Sequence, residues 1–234
     1  MRLPARFLDI PAAIAVCNAP ATPGETSMAH SVRREYVIPS VGAPYIDDIV
    51  RAFRLAAGAG VYIEVGTQDK GNIAWMARTF LRPGATIIDI DMVDYPDNDE
   101  RIRAELSSRF DYHAIRGNCL SDETLAKVKA ILAGRGADII FCDSHYTYAH
   151  TMTEFGIYYP LVRQGGFLLF HDAQWPGDPS QDGEFGQQGK ALAIAQLDRF
   201  YSAYMVQGPD TPVHRPVPTV SRNGNWGSLA IFPA

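Results

Sequence analysis

The hydrophobic pattern of this chain alternates between two periods. Short unbroken apolar runs read as buried strands, and between them apolar residues recur every three or four positions, as on one face of a helix. Strands are predicted at 61–65, 85–91, 112–116, 137–142 and 167–172, and helices at 44–57, 71–81, near 98–109, 122–133 and 148–163. In the first helix Ile46, Ile49, Val50, Phe53 and Leu55 fall at near-helical spacing, with Asp47 and Asp48 early, where the helix dipole favours carboxylates. Ser121, Asp122, Glu123 and Thr124 open the fourth, as an N-cap followed by acids should. Apolar strands separated by helices predict a mainly parallel sheet covered on both faces.

The last third departs from this alternation. A loop rich in Gly, Pro, Asp and Gln, Gln174 to Gly189, leaves the carboxyl end of a strand and precedes a helix at 190–201. Strands near 203–207 and 227–232 follow, separated by a Pro-rich extended connection, and an antiparallel arrangement of this pair would close one edge of the sheet. The first forty residues carry Pro4, Pro11, Pro20, Pro23 and Pro39 and show no clear period. Residues 1–43 are therefore expected to be an extension, serving as lid, dimer arm or tail, ahead of one domain at 44–234.

Composition narrows the classes. A chain of 234 residues, 47% hydrophobic and 20% charged, suits one domain with a sizeable core. Its net charge of −5 and scattered basic residues argue against nucleic acid or an anionic membrane as partner. No apolar run approaches the roughly 18 residues of a membrane span, and Asp9 and Pro11 interrupt the one stretch that resembles a signal peptide. Cys17, Cys119 and Cys142 have neither metal-like spacing nor an even number, which fits a reducing cytoplasm.

The chemistry concentrates where strands end. Val61 to Ala77 reads as strand, Gly-bearing turn and helix around Glu64-Val65-Gly66, the kind of junction where helix amides meet an anionic ligand. A nucleotide-like cofactor is the expectation there. Glu64 terminates an apolar strand, so loop amides or a ligand must satisfy its carboxylate. Asp89 and Asp91 close the second strand, at a distance along the chain suited to accepting ribose hydroxyls. Asn118 and Cys119 follow the third; the amide of Asn118 either reads a base edge or simply makes an Asn turn.

In this order the motifs resemble those of class I S-adenosylmethionine-dependent methyltransferases, across about residues 44–234. The resemblance implies a Rossmann-like α/β fold: a mostly parallel seven-stranded sheet in the order 3-2-1-4-5-7-6, with helices on both faces and an antiparallel last strand. It assigns the glycine-rich motif to Glu64, Gly66, Thr67, Gly71 and Asn72, the ribose acid to Asp89 and the adenine side to Asn118 and Cys119. Gly66 is not followed by the G-x-G-x-x-G spacing of a nicotinamide enzyme.

The ends of strands four and five extend the likeness. Cys142-Asp143-Ser144-His145-Tyr146 and Phe170-His171-Asp172 should lie side by side, and two carboxylates with an imidazole suit a hard cation such as Mg²⁺. The pattern is similar to metal-dependent small-molecule O-methyltransferases of the cephalosporin hydroxylase-like group. That implies Asp143, His171 and Asp172 as metal ligands, with Asp143 also beside the cofactor, and a sugar, phenol or natural-product hydroxyl as acceptor. The group's base position falls on Tyr146, but His145, one place earlier, is the better proton acceptor near neutral pH; His150 lies one turn further on. Trp175 and Phe185 in the long loop are placed to cover an acceptor. Lys70 departs from the pattern, standing where the family carries glycine, and is expected either to crowd the cofactor or to point to solvent. The rival readings are a non-catalytic binding protein on the same fold and a metal-dependent hydroxylase or hydrolase. A homodimer is compatible with the N-terminal extension.

Overall fold

A computed structural model describes residues 10–19, 22–36, 46–174, 189–207, 211–214 and 229–234. The central strands are β1 (Val61–Val65), β2 (Thr86–Asp91), β3 (Asp111–Arg116), β4 (Ala137–Cys142) and β5 (Val162–Phe170), followed by β6 (Tyr204–Gln207), β7 (Thr211–His214) and β8 (Leu229–Pro233). The helices are α1 (Ile10–Asn18), α2 (Pro23–Tyr36), α3 (Ile46–Phe53), α4 (Gly71–Thr79), α5 (Pro96–Leu106), α6 (Asp122–Leu132), α7 (Tyr148–Tyr158) and α8 (Lys190–Tyr201). The sheet order is β3-β2-β1-β4-β5-β8-β6-β7. Strands β1 to β5 pair in parallel, while β8 runs antiparallel between β5 and β6.

This is the expected fold with one addition. Strand β7 lies within the stretch read as a Pro-rich connection and pairs antiparallel with β6 at the sheet edge. An edge position explains how Pro212 is accommodated, since an edge strand need not donate on both sides. A second difference lies before β5, where the predicted helix 148–163 stops at Tyr158 and the strand starts at Val162, five residues ahead of its predicted beginning. Pro160 sits in a short 3₁₀ turn, Tyr159–Leu161, that hands the chain from helix to strand. Gly166 then packs so closely on β4 that a Cβ would stand 2.7 Å from the Asp138 carbonyl oxygen.

The register decides what the site can be. Val65 pairs with Ile90 on one side and Cys142 on the other, and Cys142 pairs with Phe170. One row across four strands therefore ends together, and the next residues, Gly66, Asp91, Asp143 and His171, share the carboxyl rim. Between β1 and β4 the chain order reverses, which opens a crevice there.

Both faces of the sheet are covered by apolar side chains. Phe53 stacks on Trp75 at 5.4 Å and meets Phe141 edge-on at 4.9 Å on one face, and Phe155 contacts Phe232 at 5.0 Å on the other. The N-terminal helices join the first face: Ala13, Cys17, Ala29, Val32 and Tyr36 are buried in that cluster. Arg51 of α3, itself buried, donates from Nε to the Cys17 carbonyl at 2.7 Å. Residues 175–188, with Trp175 and Phe185, lie outside the described residues, as do 1–9 and 37–45.

Candidate functional site

The turn after β1 is shaped by backbone conformations that few residues adopt. Gly66 has φ +83°, and a Cβ there would stand 2.4 Å from the Asp143 carbonyl oxygen, so only glycine lets the β1 and β4 loops touch. Gln68 and Lys70 also have positive φ, at 42° and 69°. Lys70 is the N-cap of α4 in left-handed conformation without a side-chain cap, and the Asp69 carboxylate instead accepts from the Gly71 amide at 2.9 Å. Two oxygens along this turn lack hydrogen-bond partners despite burial: Glu64 Oε1 and Asn72 Oδ1. The other Glu64 oxygen accepts from Tyr62 Oη at 2.6 Å. Burial, with Asp143 and Asp89 nearby, pushes the Glu64 carboxyl from 4.5 up to about 8 against the opposing pull of the Tyr62 hydroxyl and Lys70.

Lys70 does not point to solvent. Its side chain turns inward, fully buried, and its ammonium donates to Thr67 Oγ1 and to Asp89 Oδ1, the latter at 3.3 Å. Asp89 has no solvent exposure. It also accepts from Thr67 Oγ1 at 2.6 Å, Tyr112 Oη at 2.5 Å and Arg116 Nη1 at 3.3 Å. Burial alone would raise the Asp89 pKa, but Lys70, Arg116 and the two hydroxyls outweigh it and hold it below the usual range. Asp91, at the rim, is part-exposed and accepts from the Gln68 amide at 2.7 Å.

The ends of β4 and β5 do come together. Asp143 Oδ1 lies 3.2 Å and Asp172 Oδ2 lies 3.4 Å from His171 Nδ1, and one ligand atom from each residue fits within a 4.8 Å group. Asp172 holds the rare φ of 50°, and its carboxylate lies against the His171 ring. His171 is buried, its Nε2 is without a partner, and the two carboxylates overcome its desolvation to raise it to about 10. The only cationic charge in this group is thus a proton that a divalent ion would replace.

The remaining predicted residues divide. Tyr146 lies beside Asp172 and Asp143; burial and those charges raise its phenol well above the ordinary value. The His145 ring stands 5.2 Å from that of His150. Asn118 is exposed and uses Oδ1 to accept from the Leu120 amide at 2.9 Å, the Asn turn, whereas Cys119 is buried. Sequence reasoning missed Lys190, which is buried with Nζ 3.0 Å from the His171 carbonyl oxygen and 5.0 Å from the Tyr146 ring centre. A lysine at the first position of a helix opposes the dipole, and that was the available signal. Arg116, Tyr112 and Ser144 were missed too; nothing in their local sequence distinguishes them.

A reversed-order parallel sheet with a glycine turn after β1 and acids on the rim of β2, β4 and β5 defines a Rossmann-like methyltransferase fold. A family model described as Rhamnosyl O-methyltransferase/CmcI matches residues 53–209, and the chain belongs to that family. An uncharacterized protein, R132, of Acanthamoeba polyphaga mimivirus is 26% identical over 117 residues, covering 48% of this chain and 51% of that protein. Among solved structures, the O-methyltransferase TomG from Streptomyces achromogenes, in complex with SAM, is 17% identical with a TM-score of 0.52, covering 100% of both chains. The MycE methyltransferase of the mycinamycin pathway, in complex with Mg, SAH and mycinamycin VI, is 20% identical with a TM-score of 0.51, covering 88% of this chain and 53% of its own. The chain thus spans about half the length of R132 and of MycE. At these identities the structural likeness speaks to the fold. Among the described residues no helix is long and apolar enough to cross a membrane.

Proposed function

We propose that this protein is an S-adenosylmethionine-dependent O-methyltransferase that uses a divalent cation, Mg²⁺ in the first instance, to methylate a hydroxyl of a small molecule such as a sugar, phenol or natural product. The observation that carries the reading is the backbone contact of Gly66 with Asp143, which sets a cofactor-type turn directly beside the Asp143–His171–Asp172 cluster. Family membership supports the reaction class, and the free, buried cysteines support a cytoplasmic setting.

The residues fit both groups. Glu64 Oε1 and Asn72 Oδ1 are buried and lack hydrogen-bond partners where a cofactor's amino-acid end would lie, and two carboxylates with an imidazole are hard ligands for a cation. The bound groups supply an activated methyl and a Lewis acid that acidifies the acceptor hydroxyl. The protein positions and takes a proton. The α4 amides beyond Gly71, whose own amide is taken by Asp69, would hold a carboxylate, Asn72 Oδ1 would accept from the ammonium, Thr67 and Gly66 would shape the floor, and Asn118 and Cys119 would border the adenine side. Asp89 acts here through Thr67 and Lys70, which it fixes beneath the turn, while the part-exposed Asp91 would be the carboxylate to accept ribose hydroxyls. His145 accepts the acceptor's proton; Tyr146, its phenol held neutral by burial and by Asp143 and Asp172, orients the substrate.

Calorimetric titration with S-adenosylmethionine, with and without Mg²⁺, tests the reading, followed by transfer assays on catechol and sugar hydroxyls. Saturable binding abolished by Gly66→Arg, with transfer that stops on metal chelation, is the expected result. Absence of cofactor binding by the folded protein would reject it.

A further inference from the structure

A second cluster of ligand-type side chains lies apart from the rim, under α7. Cys119 comes from the turn after β3, while His150 and Glu154 sit four residues apart on one face of α7. Cys119 Sγ is 3.7 Å from His150 Nε2, and His150 Nε2 is 3.9 Å from Glu154 Oε1. Ser144 Oγ bridges the last two, at 3.0 Å from the imidazole nitrogen and 2.7 Å from the carboxylate. In a tetrahedral zinc site, with metal–sulfur bonds of about 2.3 Å and metal–nitrogen or –oxygen bonds of about 2.0 Å, ligand atoms stand roughly 3.3–3.6 Å apart. The two pairs that include His150 therefore need to close by only about half an ångström, and all three ligand atoms already lie within 4.8 Å of one another.

Burial gives an independent reason to look for a cation. Glu154 is fully buried, and its Oε2 has no hydrogen-bond partner. Phe155, Tyr158, Ile140 and Val128 belong to the apolar core on this face of the sheet, and the polar groups that act on the carboxylate include Ser144, the Cys142 thiol, His150 and Lys190. A buried carboxylate with an unused oxygen is costly unless something positive completes it. Lys190 acts on it electrostatically, and its ammonium donates to the His171 carbonyl, which leaves Oε2 open to a cation in direct contact.

We propose that Cys119, His150 and Glu154 form a second metal site, distinct from Asp143–His171–Asp172, that takes a borderline-soft divalent ion of the zinc class, with Ser144 or water in the fourth position. The donor chemistry separates the two sites: thiolate, imidazole and carboxylate suit zinc, whereas the oxygen-rich rim cluster suits a hard ion. On binding, the Cys119 thiol and the protonated fraction of Glu154 give their protons to solvent, and the ion ties the β3 turn to α7. The proposal does not depend on methyl transfer.

The test uses the full chain, stripped with chelator and titrated with Co²⁺. One equivalent should produce thiolate-to-cobalt charge-transfer absorption with tetrahedral visible bands, and Zn²⁺ should erase both. Cys119→Ser should lose the charge-transfer band, His150→Gln should lose the tetrahedral bands, and Asp143→Asn should keep all of them, each variant checked for native circular dichroism. A folded wild-type protein that binds Co²⁺ without the charge-transfer band overturns the proposal. So does a band that survives Cys119→Ser, which would assign it to another thiol.

Discussion

Two carboxylate clusters, on either side of β1 in this sheet, solve the same electrostatic problem differently. Asp89, inside the sheet beneath the first turn, is neutralised permanently by Lys70 and Arg116 and saturated by the hydroxyls of Thr67 and Tyr112. Asp143 and Asp172, at the rim, share one imidazole whose positive charge is a removable proton. A fixed counter-ion makes a carboxylate structural. An exchangeable one leaves it able to bind a metal, and the rim pair remains part-exposed to receive it.

The largest expected effect tests the exchangeable side. Asp172→Asn removes one anionic ligand while preserving shape, so Mg²⁺-dependent transfer should fall by about 100-fold or more, with cofactor affinity little changed. Steady-state assays across Mg²⁺ concentration, beside a cofactor titration, check this. Equal loss of both would show that the two functions are not separable at Asp172.

The fixed side should respond in stability. Lys70→Met keeps a long side chain but leaves Asp89 with a single cation, and breaking a buried pair costs on the order of 3 kcal/mol. Urea unfolding should show this loss, and the corresponding Asp172→Asn protein should show far less. A Lys70→Met protein as stable as wild type would mean that Arg116 alone neutralises Asp89, and the contrast between the clusters would narrow.

How much of this contrast the sequence disclosed depends on the range of the interaction. The rim acids were legible because strand ends are local: Phe170-His171-Asp172 and Cys142-Asp143 each close an apolar run, and parallel register does the rest. Gly66 was legible for the same reason. The destination of Lys70 was not, since its partner lies on another strand and an outward lysine has the same local pattern. Cys119 shows the limit clearly. Its place after β3 suggested an adenine contact, but its neighbours His150 and Glu154 are set by the packing of α7, which no spacing between Cys119 and residue 150 encodes. The short helix α7 and early β5 were hidden because Pro160 interrupts an apolar run that otherwise keeps helical period. Helices α1 and α2 escaped notice behind the prolines, although Cys17, Ala29 and Tyr36 are buried in the core.

The pH dependence of stability offers a smaller, more discriminating effect at the junction of the two clusters, where Glu64 faces both Asp89 and Asp143. Its carboxyl is held protonated in the folded protein, raised by burial from 4.5 to about 8. The unfolded chain releases this proton first, so Glu64 lowers stability progressively as pH rises from about 4.5 to about 8, and no further above that. The slope is at most about 1.4 kcal/mol per pH unit for one group. Glu154, raised by burial to about 7, adds a fall of the same sign that ends sooner. Glu64→Gln should therefore flatten the stability profile most clearly between pH 7 and 8, measured by urea midpoints. An unchanged slope in that window would mean that Glu64 is already ionised, with Lys70 serving it as well as Asp89.

The smallest effect belongs to Arg116, which reaches Asp89 from the edge at 3.3 Å while its other contacts run to Asp94 at 3.2 Å and Asp99 at 2.5 Å. Because the guanidinium is 22% exposed, water screens much of its attraction. Arg116→Lys keeps the charge and loses the fork that spans three carboxylates, so the cost should be about 1 kcal/mol or less and should shrink in high salt. The Lys70→Met loss should be nearly independent of salt, since both members of that pair are without exposure. Urea midpoints for the two variants at low and high ionic strength thus separate the interior cation from the peripheral one. Equal salt dependence would place Lys70 within reach of solvent and turn the fixed cluster into an exchangeable one.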